Sequence, residues 1–168
     1  MKLTDILPIE KWIELEQQIH EQSGLNPTIY DTKGVSITRT TTWPNALCPE
    51  IKAIPKGQTF ICSSAHQNIA GDAESSREPV VEACDAGLVK IVVPIFLGDT
   101  FLGAAGGCGL LMDGEEVESF LVSKTLDMDE DKIEELAKSI PVLSEEKAWD
   151  VARFIKNRID AIVTAYTK

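Results

Sequence analysis

The chain has 168 residues, which is enough for one domain with a full hydrophobic core and too few for two. Its formal net charge is −11 at pH 7, and residues 113–150 carry thirteen acidic side chains against four basic ones. Such a surface repels phosphate backbones, and no basic stripe elsewhere offsets it, so we exclude nucleic acid as a partner.

The distribution of apolar residues argues against membrane insertion and secretion. The longest stretch without a charged residue or histidine, Thr100–Met112, has thirteen residues, fewer than the roughly eighteen that a membrane span needs. The N-terminal segment reaches Asp5 before any apolar region long enough for a secretory signal. We therefore expect a cytoplasmic protein, whose four cysteines are thiols, redox groups or metal ligands in place of structural disulfides.

The first forty residues are predicted to contain one helix and two strands. Apolar residues recur mostly at three- and four-residue spacing in Pro8–Ser23, which predicts an amphipathic helix that ends at Gly24. The β-prone segments Asn26–Asp31 and Val35–Thr40 flank residues 32–34, where a glycine favours a turn. This pattern predicts a strand, a turn and a second strand.

The next segment is interrupted by prolines and is predicted to hold only short elements. Cys48–Ile54 is at most a short helix, and Gly57–Ile61 is a candidate strand. Cys62–Ala70 has helical character and is expected to end at Gly71. Asp72–Glu78 has almost no apolar residue, so we predict a loop there.

Two apolar runs at residues 89–96 and 100–111 predict the central feature of the fold. They are separated by a Gly98-Asp99 turn, which is the signal of a β-hairpin. Pro94 cannot donate a ladder hydrogen bond, so we expect an edge or bulged position there. The second run is rich in glycine, including Gly106 and Gly107, and we interpret these as space for a ligand beside the strand.

After the hairpin the chain is predicted to be helical, at Val117–Leu126, Lys132–Ile140 and Ser144–Tyr166, with Ser144 as an N-cap. Strands and helices that do not alternate predict an α+β domain with an antiparallel sheet. The stripe of the last helix is long, and we expect either a homodimer contact or simple coverage of the sheet.

The hairpin also carries a family resemblance. The residues that carry it are Cys84-Asp85-Ala86-Gly87-Leu88, Val93-Pro94-Ile95, Gly98, Leu102-Gly103, Leu47-Cys48, Ile51 and Cys62. In these motifs the chain resembles the PocR ligand-binding domain, a PAS-like sensor module of prokaryotic signalling proteins, over roughly residues 10–112. The chain departs from the family at Asp85, where histidine is common, and at Cys108, where another residue type is expected.

The resemblance implies a PAS-like antiparallel sheet with flanking helices and a C-terminal helical extension, in a single domain of residues 1–168 with its core at about 10–112 and a helical part at 113–168. It implies a non-catalytic sensor that binds a small molecule, usually a hydrocarbon derivative, and signals to a downstream protein. The ligand-binding residues expected from these patterns are Cys84, Asp85, Gly106, Gly107 and His66.

The cysteines support a second hypothesis about the site. Cys48, Cys62, Cys84 and Cys108 have no CxxC pairing, yet each is predicted near a turn or an element end, so the four are able to converge on zinc or an iron–sulfur cluster. His66 follows Cys62 by four residues and would share its helical face. Buried free cysteines in the core are the alternative.

Other sequence features suggest three further activities. Asp127–Asp131 begins like a calcium loop, but Lys132 and Lys138 occupy its glycine and glutamate positions, so we reject it. Cys84 and His66 resemble a nucleophile and base, but the chain has little other acid–base equipment, so we expect no enzyme. The alternative function is a redox or metal-handling protein that acts directly through its cysteines.

Overall fold

The computed structural model describes all 168 residues and has the predicted α+β architecture. An open antiparallel sheet has the strand order β1-β4-β3-β2, and a short fifth strand pairs in parallel with β4. The arrangement fits the PAS-like fold that the resemblance implied. The strands are β1 Asn26–Tyr30, β2 Val80–Ala83, β3 Val89–Leu97, β4 Thr100–Met112 and β5 Val142–Leu143.

Helices cover both faces of this sheet. They are α1 Leu3–Ile6, α2 Ile9–Ser23, α3 Leu47–Ala53, the single turn α4 Pro55–Gly57, α5 Ser64–Ser76, α6 Ser119–Leu126, α7 Glu130–Ala137 and α8 Glu145–Thr167. A π-helical segment, Gln58–Ser63, joins α4 to α5. None of the helices has the length and apolar character that crossing a membrane requires.

Alternation along the central strands divides the sheet into two faces. On β3, Ile91, Val93 and Ile95 belong to the main core, which α2 and α8 cover. Val92, between them, packs instead with α5 in a smaller cluster. We call the second face, which α3 to α5 cover, the cavity face.

The predicted hairpin is confirmed. β3 pairs with β4 in antiparallel register, from Val89 opposite Leu110 to Leu97 opposite Thr100. Gly98 has the positive φ of +60° that the tight turn between the strands requires. Pro94 lies two residues beyond Val92, the last β3 residue that pairs with β2. Beyond Val92 this side of β3 is an edge, so no neighbouring strand there needs a hydrogen bond from Pro94.

The helices at the two ends of the chain are also confirmed. α2 ends where Gly24 takes the left-handed conformation, with φ of +76°. Ser144 caps α8, because its Oγ accepts a hydrogen bond from Lys147 N at 3.0 Å. Ile155 and Ile159 of α8 are buried in the main core. Most of the α8 stripe therefore covers the sheet.

Three predictions for the middle of the chain are wrong. Val35–Thr40 forms no strand beyond a single bridge between Tyr30 and Ser36, because its side chains are used elsewhere, as described below. Gly57–Ile61 is helical, because Gly57 ends α4 and the π-helical segment follows without a break. The helix predicted to stop at Gly71 continues to Ser76, so most of the expected loop at Asp72–Glu78 is helical.

Candidate functional site

A cavity of about 380 Å³ lies between the cavity face of the sheet and α3 to α5. The segment Val35–Thr41, which we call the strap, runs along one side of this cavity. The lining includes every cysteine of the chain together with one histidine and one buried lysine: Cys48, Cys62, Cys84, Cys108, His66 and Lys90.

Each cysteine reaches the cavity from a different structural element. Cys48 lies on α3, Cys62 on the π-helical segment, Cys84 just after β2, and Cys108 on β4. All four are free and half-buried. π-Helical turns are rare and are often found at functional sites. The fold therefore brings the four cysteines, which lie up to 60 positions apart in the sequence, to one cavity, and a metal site shared by them stays a prediction.

The register of the sheet places Cys108 at the centre of the cavity face. Lys90 on β3 and Asn26 on β1 are its cross-strand partners. Directly opposed residues of antiparallel strands project to the same face, so these three side chains lie in one row across the sheet. All three line the cavity.

The tight turn after β2 positions Cys84. Cys84 N donates to Leu88 O and Gly87 N donates to Cys84 O, both at 2.8 Å. Gly87 has a φ of +88°, and a Cβ there would lie 2.7 Å from Glu116 O, so glycine is required. Burial raises the pKa of the Cys84 thiol, whereas the backbone amides of Leu88 and Ala86 interact with the sulfur and lower it.

Asn45 positions Cys48. Its Oδ1 accepts hydrogen bonds from Leu47 N at 2.8 Å and Cys48 N at 2.7 Å, at the start of α3. Its Nδ2 donates to Gly109 O at 2.6 Å and to Cys48 Sγ at 3.3 Å. One buried amide thus joins α3 to β4 and also supplies a donor to a sulfur of the cavity.

Burial favours the protonated form of the Cys48 and Cys62 thiols. It raises the pKa of Cys48 to about 12, with a further contribution from neighbouring Cys108. It also raises the pKa of Cys62 to about 11, although Lys52 acts in the opposite direction. These thiols are neutral near pH 7 and become thiolates only when an electrophilic partner such as a metal is present.

Lys90 is a buried cation without an ion-pair partner. Its side chain is buried, it forms no ion pair, and Nζ donates only to Tyr30 Oη at 3.3 Å. Burial alone lowers the pKa of this ammonium, but Tyr30 and the thiols of Cys108 and Cys84, when ionised, raise it, and the net direction is upward. Lys90 therefore stays charged whenever the cavity holds negative charge.

His66 forms one wall of the cavity. Its ring stacks on Tyr30 with the centroids 3.7 Å apart, and its Nδ1 is buried without a hydrogen-bond partner. Burial, followed by the charge of Lys90, lowers the pKa of His66 to about 3, so the imidazole is neutral. A Cβ on Gly34 would lie 2.8 Å from His66 Cδ2, so this glycine lets the chain close over the ring.

A buried carboxylate holds the strap in place. Glu16 on α2 is only 2 % exposed, and its Oε1 accepts from Ile29 N at 3.0 Å and from Thr38 Oγ1 at 2.5 Å. Thr40 Oγ1 donates to the other carboxylate oxygen. These hydroxyls explain why the threonine-rich segment forms no strand: its side chains satisfy Glu16.

Three of the ligand-binding residues expected from the sequence do not line the cavity. Asp85 is exposed in the turn after Cys84. Gly106 leaves room for backbone and not for a ligand, because a Cβ there would lie 1.9 Å from Ile91 O. Gly107 faces the main core, where a Cβ would lie 2.9 Å from Leu25 Cβ. Cys84 and His66 do line the cavity.

Sequence reasoning missed Lys90, Asn45 and Glu16. A lysine inside the apolar run at 89–96 indicates a polar site beside the strand, because lysine is almost never fully buried without a partner. An asparagine just before a short helix was another, since it is a preferred capping residue. Glu16 carried no signal, because a single acidic residue in an amphipathic helix normally faces water.

The donor atoms do not surround a single point. No group of three or more His, Cys, Asp or Glu side chains is placed to hold one metal ion. A larger groove of about 540 Å³ lies on the surface beside Pro94, Arg77 and Lys156, and no cysteine lines it. The cysteine cavity, where buried polar groups converge, is therefore the candidate site.

A comparison with models of protein families matched residues 5–166 to PocR, described as a sensory domain found in PocR. The chain belongs to the PocR sensory-domain family. The match includes the C-terminal helices as well as the sheet. No curated protein and no solved structure matched the chain.

Membership in the PocR family makes this chain a sensory domain. What the domain senses must be inferred from the cavity itself.

Proposed function

We propose that this PocR domain is a signal-sensing binding module whose sensory site is the cysteine-lined cavity. The occupant is an anion in the bound state: either a cysteine-bound metal or iron–sulfur cofactor, or a small organic ligand with a negative group. Binding changes the packing around α3, the strap and α5, and a downstream signalling protein responds to this change.

The charge of the cavity wall carries this proposal. Three basic side chains, Arg39, Lys52 and Lys90, line the cavity, and no aspartate or glutamate does. This occurs in a protein whose net charge is −11. A buried ammonium without a counter-ion costs free energy, and an anionic occupant would recover it.

The four thiols favour a cofactor over a freely exchanging ligand. Buried cysteine is common as a small apolar residue, but four of four cysteines in one cavity is a donor set that zinc and iron both accept. A bound cation would lower the pKa of every thiol, and the resulting thiolates would pair electrostatically with Lys90.

A small organic ligand is the second candidate, and polar groups on β1 favour it. Thr28 and Tyr30 line the cavity beside Lys90, and Asn26 lies in the same row. A hydrocarbon derivative with a carboxylate would place its charge at Lys90 and its apolar part against Ile61 and Leu88.

Direct redox or metal-handling activity fits less well. A thiol attacks as its thiolate, and the raised pKa of Cys48 and Cys62 leaves little thiolate at these residues near pH 7. The buried site also lacks a general base, because the imidazole of His66 is neutral but has a very low pKa.

We further propose a cytoplasmic location, in which thiols stay reduced, and a homodimer through the end of α8. Ile162 and Val163 are partly exposed and Tyr166 is exposed, whereas Ile159 is buried in the core. Sedimentation of Val163→Glu tests the contact, with Thr167→Glu as control. A dimer that only Val163→Glu dissociates supports it, and a monomeric parent contradicts it.

Native mass spectrometry of protein purified without oxygen tests the sensory site. The expected spectrum shows the chain with an added mass that Lys90→Met removes or reduces, whereas the surface variant Lys168→Met retains it. A chain of bare mass, or an added mass that Lys90→Met leaves unchanged, contradicts the proposal. The size of the added mass separates an inorganic cofactor from an organic ligand.

A further inference from the structure

We propose that the occupant is a sulfide-bridged iron cluster with more than one iron, bound through Cys48, Cys62, Cys84 and Cys108. This inference rests on the proposed sensory site and specifies the chemistry within it. Cluster binding forms four Fe–S(Cys) bonds, and each thiol releases its proton to solvent as its sulfur bonds to iron.

The spacing of the donors favours a cluster over a single ion. Zinc bonds to thiolate sulfur at about 2.3 Å, so its four sulfurs must lie around one point. The structure gathers all four cysteines on one cavity, but no three of its potential ligands surround a common point. A cluster bonds each cysteine to a different corner or side, which suits donors distributed around a cavity of about 380 Å³.

The surroundings of the sulfurs match this chemistry. The amides of Leu88 and Ala86 interact with the Cys84 sulfur, and Asn45 Nδ2 lies 3.3 Å from Cys48 Sγ. Hydrogen bonds to sulfur and burial are the means by which a protein tunes a cluster's reduction potential. Gly87 fixes the turn that carries the two amides, and the hydrogen bonds of Asn45 fix its own side chain, so these donors are in place before a cofactor binds.

Lys90 has a defined role in this site. It lies opposite Cys108 in the sheet register and forms no ion pair with any carboxylate. A cluster bound by four thiolates is an anion, and one-electron reduction makes it more negative. A positive charge beside it stabilises the reduced form, so Lys90 raises the reduction potential.

The test is anaerobic reconstitution of the full chain with ferric and ferrous salts and sulfide, which supply the iron oxidation states of a cluster without an added oxidant, followed by removal of unbound ions. We expect iron and acid-labile sulfide to be retained together, with the visible absorption of an iron–sulfur cluster. Each single Cys→Ser variant should lose most of the bound iron, and Ser75→Ala, an exposed change on α5, should lose none.

A parallel sample receives a zinc salt alone. Retention of one zinc per chain by wild type, with no uptake of iron and sulfide, overturns the cluster. Failure to retain either metal also overturns it, whereas an organic anion found by native mass spectrometry would leave the sensory site standing.

Lys90→Met provides a readout that a purely structural role would not change. The variant should assemble the cluster under reconstitution, because Lys90 is no ligand, but with reduced retention and a more negative midpoint potential. An assembled cluster with an unchanged potential contradicts the role of Lys90. If Lys90→Met does not fold, the same measurements are made on Lys90→Gln.

Discussion

Lys90 on β3 lies directly opposite Cys108 on β4, and both side chains face the same cavity. This pair places a buried cation that forms no ion pair beside a sulfur of the proposed site. An anionic occupant of the cavity would supply the counter-ion that Lys90 lacks.

The first prediction concerns the free-energy cost of this unpaired charge. Lys90→Met keeps most of the length of the side chain and removes its charge, so the free energy of unfolding of the metal-free protein should stay the same or rise by about 1 kcal/mol. Urea unfolding of protein stripped of metal with a chelator measures this difference. A loss of more than about 2 kcal/mol would show that Lys90 is satisfied without an occupant.

The second prediction corrects the role of the glycine-rich strand. A Cβ on Gly106 would lie 1.9 Å from Ile91 O, so Gly106→Ala should destabilise the fold by about 3 kcal/mol or more. Gly71 in α5 has nothing within 4 Å of its Cβ position, and Gly71→Ala should raise stability by about 0.5 to 1 kcal/mol. Thermal unfolding compares the two. Equal effects of the two substitutions would refute the close approach of the Ile91 carbonyl to Gly106.

The third prediction concerns the strap. Glu16→Ala removes the acceptor for Thr38 and Thr40 and leaves Ile29 N without its partner. It should cost about 2 to 3 kcal/mol and speed hydrogen exchange at Thr42, whose amide is bonded to Asn26 Oδ1. Glu14→Ala, an exposed change on the same helix, is the matched control. Unchanged hydrogen exchange at Thr42 would show that the strap keeps its position without Glu16.

The fourth prediction is a pH dependence that originates from His66. The pKa of His66 is lowered from 6.5 to about 3 in the folded protein, so the unfolded chain binds the extra proton between these values. The free energy of unfolding should therefore fall as pH decreases below about 6.5, at up to about 1.4 kcal/mol per pH unit from this residue.

His66→Phe isolates this contribution, because a phenyl ring preserves the stacking on Tyr30 and cannot titrate. Unfolding by urea at pH 7 and pH 5.5 should show a smaller decrease for the variant than for the parent. An identical decrease in both proteins would place the titrating group elsewhere.

Much of the fold was predictable because its signals are local. The Gly98-Asp99 turn between two apolar runs specifies the hairpin, and the cap at Ser144 with its apolar stripe specifies α8. The strap was predicted wrongly because threonine favours strands on average, whereas here Thr38 and Thr40 bind a carboxylate that is 22 and 24 residues away.

The site was only partly predictable, because its groups meet through the sheet register. The sequence shows four cysteines but not that they share one cavity, and it shows Gly106 but not the carbonyl of Ile91 beside it. A lysine among apolar neighbours marks Lys90 as unusual in the sequence but does not show which group it faces. Its importance follows from a pairing with Cys108, which depends on where β3 and β4 align.

The most direct test of this account is a crystal structure of the anaerobically purified protein, with anomalous scattering measured at the iron edge. The account predicts a peak with more than one iron in the cavity, bonded to the sulfurs of Cys48, Cys62, Cys84 and Cys108, with Lys90 beside it. An empty cavity whose four thiols contact only protein, or an occupant in the surface groove beside Lys156, would contradict it.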